Sequence, residues 1–156
     1  DEAHVDGTLA QFSAYYGAHS MDHTRPYSGI PALLSRLHDA GICLAVCSNK
    51  ADDFSRQLIE HYFPSRFSLV RGKLDGVPVK PDPAVVSAIL EALHADPTTA
   101  LFVGDSSVDI QTGHNAGLAA CGVTWGFRPR QSLIDAGADF LSDTADALER
   151  LILGSL

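Results

Sequence analysis

Three short polar clusters carry residue types that could do chemistry together. Ser48-Asn49-Lys50 follows the apolar run Ile42–Cys47, and Gly104-Asp105-Ser106-Ser107-Val108-Asp109 follows the apolar run Ala100–Val103. Between them, Val79-Lys80-Pro81-Asp82-Pro83 stands just before a helical pattern. A carboxylate at a strand end can hold Mg²⁺, a hard cation that takes oxygen ligands and keeps several waters. A hydroxyl, backbone N–H groups and a lysine can hold the oxygens of a phosphoryl group. Phosphoryl transfer asks for positioning and charge neutralisation more than for covalent machinery, yet it needs a nucleophile in line with phosphorus. Each residue alone also has an ordinary reading. Ser48-Asn49 suits a turn, Lys80 a solvated loop, Asp105 a helix cap and Asp109 an exposed first turn.

What gives the clusters weight is the set of elements that must position them. Five short apolar runs, Ile42–Cys47, Phe67–Val70, Ala100–Val103, Leu118–Thr124 and Ala138–Leu141, read as parallel strands buried on both faces. Between them the period is helical. Ile30, Leu33, Leu34 and Leu37 form one stripe, with Ser28 as N-cap, Pro31 near the first turn and Gly41 after the end. Phe54, Leu58, Ile59 and Tyr62 form a second stripe. Val85, Val86, Ile89, Leu90 and Leu93 form a third, with Asp82 as its cap, and Asp146–Leu153 reads as a last helix. Alternating strands and helices predict an α/β fold with a doubly wound parallel sheet. In such sheets ligands bind at the carboxyl ends of the strands, so Ser48, Lys80 and Asp105 are expected to converge on one edge.

The chain has 156 residues and a net charge of −8, with 46% apolar residues. That composition suits one packed domain. It argues against general nucleic-acid binding, which needs a basic surface to displace counterions. It leaves room for an anionic small substrate, since a few local donors outweigh a distant net charge. No apolar run approaches the ~20 residues that span a bilayer, and the acidic start shows no leader pattern. Cys43, Cys47 and Cys121 are odd in number and sit in apolar runs, which predicts buried, reduced thiols and a cytoplasmic setting. The seven histidines show no ligand spacing. Trp125 and Phe127 fit core packing, with the mouth of a substrate site as the alternative.

Taken in order, Ser48-Asn49-Lys50, Lys80-Pro81-Asp82-Pro83 and Gly104 to Asp109 resemble three of the four motifs of the haloacid dehalogenase superfamily. Thr24-Arg25-Pro26-Tyr27-Ser28-Gly29-Ile30 and Gly122-Val123-Thr124-Trp125-Gly126-Phe127 resemble segments of its phosphoglycolate phosphatase-like branch. The likeness covers about residues 9–153. It implies a Rossmannoid core and a Mg²⁺-dependent phosphatase acting on a small phosphorylated metabolite. It implies further that Ser48 and the Asn49 backbone bind the phosphoryl group and that Lys80 neutralises its charge. Asp105 and Asp109 would serve the metal, Asp109 through water or by positioning Lys80.

The family's first motif, an apolar strand ending in Asp-x-Asp-Gly-Thr with the nucleophile first, has no clear counterpart. Asp6-Gly7-Thr8-Leu9 is present, but His4 holds the nucleophile position. The same stretch fits a helical stripe through Val5, Leu9, Phe12 and Tyr16. Two readings stand: a remnant of the cap's last helix, or a degenerate first motif with Asp6 as its acid. The first divides the chain into a cap remnant and linker at residues 1–23 and an α/β core at 24–156. In the resembling family the nucleophile strand lies between the strands that here end at Ser48 and Asp105. Without it those strands close up or leave a slot, and buried unpaired backbone groups cost about 1–3 kcal/mol each. A strand borrowed from a partner chain, a homodimer or lost stability is then expected, along with an inactive isolated chain. The alternative function is a non-catalytic relative that keeps only the phosphate and metal half-site.

Overall fold

The computed structural model describes residues 8, 15, 17, 19 and 21–154. Thr8, Tyr15, Gly17 and His19 are helical. Val5, Leu9, Phe12 and Tyr16, which carry the expected stripe, lie outside the described residues, as do His4 and Asp6.

From Ile30 the chain alternates helix and strand. The order is α1 (Ile30–Asp39), β1 (Ala45–Ala51), α2 (Asp52–Tyr62), β2 (Leu69–Lys73) and α3 (Ala84–Ala92). After a 3₁₀ turn at Pro97–Thr99 come β3 (Leu101–Gly104), α4 (Ser107–Asn115), β4 (Ala119–Val123), α5 (Arg130–Asp135), β5 (Phe140–Ser142) and α6 (Ala145–Leu153). Among the described residues no helix is long and apolar enough to cross a membrane.

The two caps read from the sequence fare differently. Ser28 does not cap α1. The N-cap is Gly29 at φ 81°, where a Cβ would lie 2.9 Å from that of Ala145. Only glycine meets both the left-handed backbone and that close approach. Asp82 does serve α3, its Oδ1 accepting from the Ala84 amide at 2.9 Å, although Pro83 occupies the N-cap. At α4, Ser106 and Asp109 form a reciprocal capping box, and Thr144 caps α6.

β4 has helices on both faces. Cys121 and Val123 pack with Leu33 and Leu37 of α1 and with Ala145 and Leu148 of α6. Ala120, pointing the other way, packs with Ile110 of α4 and Leu133 of α5. This alternation is the doubly wound arrangement read from the sequence.

The sheet is divided. β1 pairs in parallel with β2, and β3, β4 and β5 pair in parallel in that order, but no backbone hydrogen bonds join β1 to β3. Continuous burial holds for β4, where residues 120–123 are buried, and fails for β1 and β3. Ala45 is exposed and Val103 is 38% exposed. Among the described residues, each of these two strands has a hydrogen-bonded neighbour on one side alone. Of the two outcomes expected for an absent central strand, the strands have not closed up.

Candidate active site

The carboxyl end of β1 is irregular, and that irregularity presents the first polar cluster. Cys47 pairs with Arg71, and the next registered pair is Ala51 with Lys73. Ser48, Asn49 and Lys50 therefore bulge out of the ladder, the device by which strands commonly re-aim side chains. The sequence placed this trio after the strand, whereas it lies within β1 as a break in register. Ser48 Oγ accepts from the Lys50 amide at 3.1 Å. The Asn49 side chain takes hold of Lys80 at two points: its Oδ1 accepts from the Lys80 amide at 2.9 Å and its Nδ2 donates to the Lys80 carbonyl at 3.2 Å.

From that anchor the Lys80 side chain crosses to the other sheet. Its Nζ donates to Asp109 Oδ1 at 2.6 Å and lies 5.8 Å from the centroid of the Phe102 ring. The two side chains are 14% and 9% exposed, so the pair is largely shielded from solvent. Asp109 is fully engaged, because its Oδ2 accepts from the Ser106 amide at 3.0 Å and from Ser106 Oγ at 2.6 Å. Gly104 makes this fit possible, since a Cβ there would collide with the Asp109 carboxylate.

Asp105 follows β3 directly. Its Oδ2 accepts from the Phe127 amide at 2.8 Å, in the loop after β4. A Cβ on Gly126 would strike the same carboxylate. Oδ1 of Asp105 makes no hydrogen bond among the described residues. Lys80 thus links the carboxyl end of β1 to the helix that follows β3, and the carboxyl ends of the two half-sheets meet at one edge. Asn49, Lys80 and Asp109 are in direct contact there, with Ser48 beside Asn49 and Asp105 one residue beyond β3.

The electrostatics agree with this placement. Burial pushes the Cys47 thiol up, opposed by Lys80 and reinforced by Asp109, so the thiol is close enough to sense both charges. At the outer strand, Arg56 and the Gly72 amide hold Asp52 below the ordinary carboxylate range. Asp52 Oδ1 accepts from Gly72 at 2.7 Å, which pins the start of α2 to β2.

The cradle fits part of a Mg²⁺ site. Asp105 offers one unengaged carboxylate oxygen, and Mg²⁺ is commonly held by one or two carboxylates together with substrate phosphate and water. Among the described residues no three His, Cys, Asp or Glu side chains gather as a metal cluster.

Sequence reasoning missed several participants. Asn115, at the end of α4, donates to the Pro81 carbonyl at 2.8 Å, and no pattern announced it. The Ser106-x-x-Asp109 spacing did carry a readable capping signal. Core packing, expected for Trp125 and Phe127 alike, holds only for Trp125, which packs against the α1–α6 core. Trp125 also lines an open cleft of about 390 Å³ with Tyr27 and Asp143. Phe127 is 90% exposed, because its backbone is drawn to Asp105 and its ring is left outside.

Known proteins resemble this arrangement throughout its length. A model of the haloacid dehalogenase-like hydrolases matches residues 1–123. The N-acetylmuramic acid 6-phosphate phosphatase of Pseudomonas aeruginosa is 31% identical over 158 residues, covering 97% of this chain and 70% of that protein. The phosphoglycolate phosphatase of Vibrio cholerae is 33% identical over 138 residues, covering 88% of this chain and 60% of that protein. A solved structure from Lactobacillus delbrueckii subsp. bulgaricus superposes with a TM-score of 0.91 at 36% identity, over 99% of this chain and 64% of that one. The chain therefore spans roughly 60–70% of the length of these relatives.

Proposed function

Because the chain belongs to the haloacid dehalogenase-like hydrolase family, in its phosphoglycolate phosphatase-like branch, we propose that it forms the core of a Mg²⁺-dependent phosphomonoester hydrolase acting on a small phosphorylated metabolite. One observation carries this reading: Lys80 is fixed by Asn49 on one half-sheet and by Asp109 on the other, beside a strand-end carboxylate with one free oxygen.

Each group then has a task. The Ser48 hydroxyl, whose oxygen already accepts from Lys50, turns its proton toward a phosphoryl oxygen, with the Asn49 backbone beside it. Lys80 neutralises the charge that spreads over the equatorial oxygens, the term on which phosphoryl transfer chiefly depends. Asp109 holds the ammonium in place. Asp105 is the carboxylate suited to Mg²⁺, which when bound supplies charge neutralisation at the phosphate. None of these four is a free nucleophile. In this reading the nucleophilic carboxylate belongs to a strand pairing between β1 and β3, in the gap between the half-sheets. The donor of that strand is a further segment of the same protein or a different partner chain.

A second reading is a non-catalytic relative that retains the phosphate and metal half-site. It is favoured by the engagement of Ser48 and Asp109, which leaves neither free to attack phosphorus.

The test is an assay of the purified chain with Mg²⁺ and a generic aryl phosphate, with Asp105→Asn as control. The expected result is no useful turnover, since loss of a covalent step removes several powers of ten at ~1.4 kcal/mol each. The half-site itself is expected to bind inorganic phosphate in a Mg²⁺-assisted manner that Lys80→Gln weakens to a measurable residue. Turnover near about 1 s⁻¹, a common enzymatic rate, that vanishes in Asp105→Asn would instead identify His4 to Leu9 as a working first motif with Asp6 as its acid. Absence of phosphate binding would remove both readings.

A further inference from the structure

The segment carrying Lys80 is gripped by carboxamides from both half-sheets. On the β1 side, Asn49 pairs with both backbone polar groups of Lys80. On the other side, Asn115 donates from Nδ2 to the carbonyl of the next residue, Pro81, at 2.8 Å. Asn115 closes α4, the same helix whose first turn binds the Lys80 ammonium through Asp109. Positions 109 and 115 are about 9 Å apart along a helical axis at 1.5 Å per residue. Lys80 therefore lies along α4, its backbone tied near the C-terminal end and its charge tied near the N-terminal end.

A lysine carries its charge on a flexible four-carbon stem, so where the ammonium can go depends on how firmly its root is held. The other bonds of the Val79–Pro83 segment are local, the Asp82 amide donating to the Val79 carbonyl at 3.0 Å and the Ser87 amide to that of Pro83 at 2.9 Å. Leu74, Val77 and Val79 before it are 46%, 37% and 39% exposed, and Lys80 is only partly buried. Asn115 is itself exposed and lies at the far end of the helix from Asp105. Its side-chain amide donates to this segment.

We propose, resting on the phosphohydrolase reading above, that Asn115 is a positioning residue for Lys80: it fixes the root of the phosphate-binding lysine to the helix that also holds its charge. Asn115 acts through the Pro81 carbonyl and Asn49 acts through Lys80 itself, so the ammonium is aimed by two amides from opposite sides of the divided sheet.

The experiment is a double-mutant cycle read on binding of inorganic phosphate with Mg²⁺ by the full chain, together with amide hydrogen exchange. Asn115→Ala is expected to weaken phosphate about three- to tenfold, the range one net hydrogen bond supports. Asn115→Gln keeps a donor and is expected to recover most of that loss. In a Lys80→Gln background, Asn115→Ala is expected to have no further effect, as for residues acting through one another. Exchange at the Lys80 amide is expected to quicken about three- to tenfold in Asn115→Ala, with Ile110 exchange and the melting temperature unchanged. Equal phosphate binding by wild type and Asn115→Ala overturns the proposal, and so does an additive loss in the double variant. Should the wild-type chain bind no phosphate, the hydrolase reading falls and the exchange arm decides alone: unchanged exchange at Lys80 then refutes the positioning role.

Discussion

Asp105 is held by the amide of Phe127 and lies against Gly126, and this crowding leaves no room for a side chain at the glycine. Gly126→Ala is expected to leave secondary structure intact and to weaken Mg²⁺ binding at least tenfold, as read by titration calorimetry, because the new methyl group must displace the carboxylate. Forced overpacking of this kind commonly costs about 1–3 kcal/mol, so a modest fall in melting temperature should accompany it. Asp52 makes a prediction about pH. Its carboxyl is held low by Arg56 and the Gly72 amide, so the folded state favours the ionised form. The stabilisation is full above the unfolded value near about 3.9 and is lost as pH falls through the lower folded value. Melting temperature should therefore drop with acid below about pH 5, and Asp52→Asn should flatten that acid limb while lowering stability at neutral pH. The polar residues at strand ends were legible because their types match a chemistry. Asn115, Gly126 and the Phe127 amide were not, because their roles depend on which loops meet in space, and single-sequence periodicity says nothing about that.

At the scale of elements, burial separates strands and helices that look alike in sequence. Ile110 is fully buried against Ala120 and Leu133, whereas Val103, one strand earlier, is 38% exposed. Ile110→Ala should cost about 2–5 kcal/mol in urea unfolding. Val103→Thr should stay within about 0.5 kcal/mol, as surface substitutions do. A large loss at Val103 would mean that its edge is covered in solution. The five strands and four of the helices, α1, α2, α3 and α6, were readable from apolar period. α4 and the short α5 were not, because each has few apolar residues to mark a stripe, with Ile110 and Leu133 as their fully buried anchors. The bulge in β1 also escaped notice, because a break in register leaves hydrophobic pattern almost untouched. The expectation of uniformly buried strands failed at β1 and β3 for a physical reason: apolar composition reports what a strand would bury in a complete sheet, and among the described residues each pairs on one edge alone.

For the whole molecule, Val103 and Phe127, both near the meeting edge of the half-sheets, leave apolar surface exposed there. The isolated chain is therefore expected to self-associate at micromolar concentration in sedimentation runs, or else to melt broadly with a low midpoint. A monomer with a sharp transition above about 60 °C would contradict this, since intact mesophile domains cluster near 45–65 °C. The seam between the half-sheets also places Lys80 under two demands. Its ammonium braces one half against the other through Asp109, and the same charge is what a phosphate would draw toward itself. Ligand capture and mechanical cohesion thus compete for one side chain. A substrate that recruits Lys80 fully would loosen the seam at the moment of binding, so occupancy of the site would be felt as compliance across the fold. The lysine works in effect as a clasp, and selection acting on catalysis and selection acting on stability would meet at this one residue.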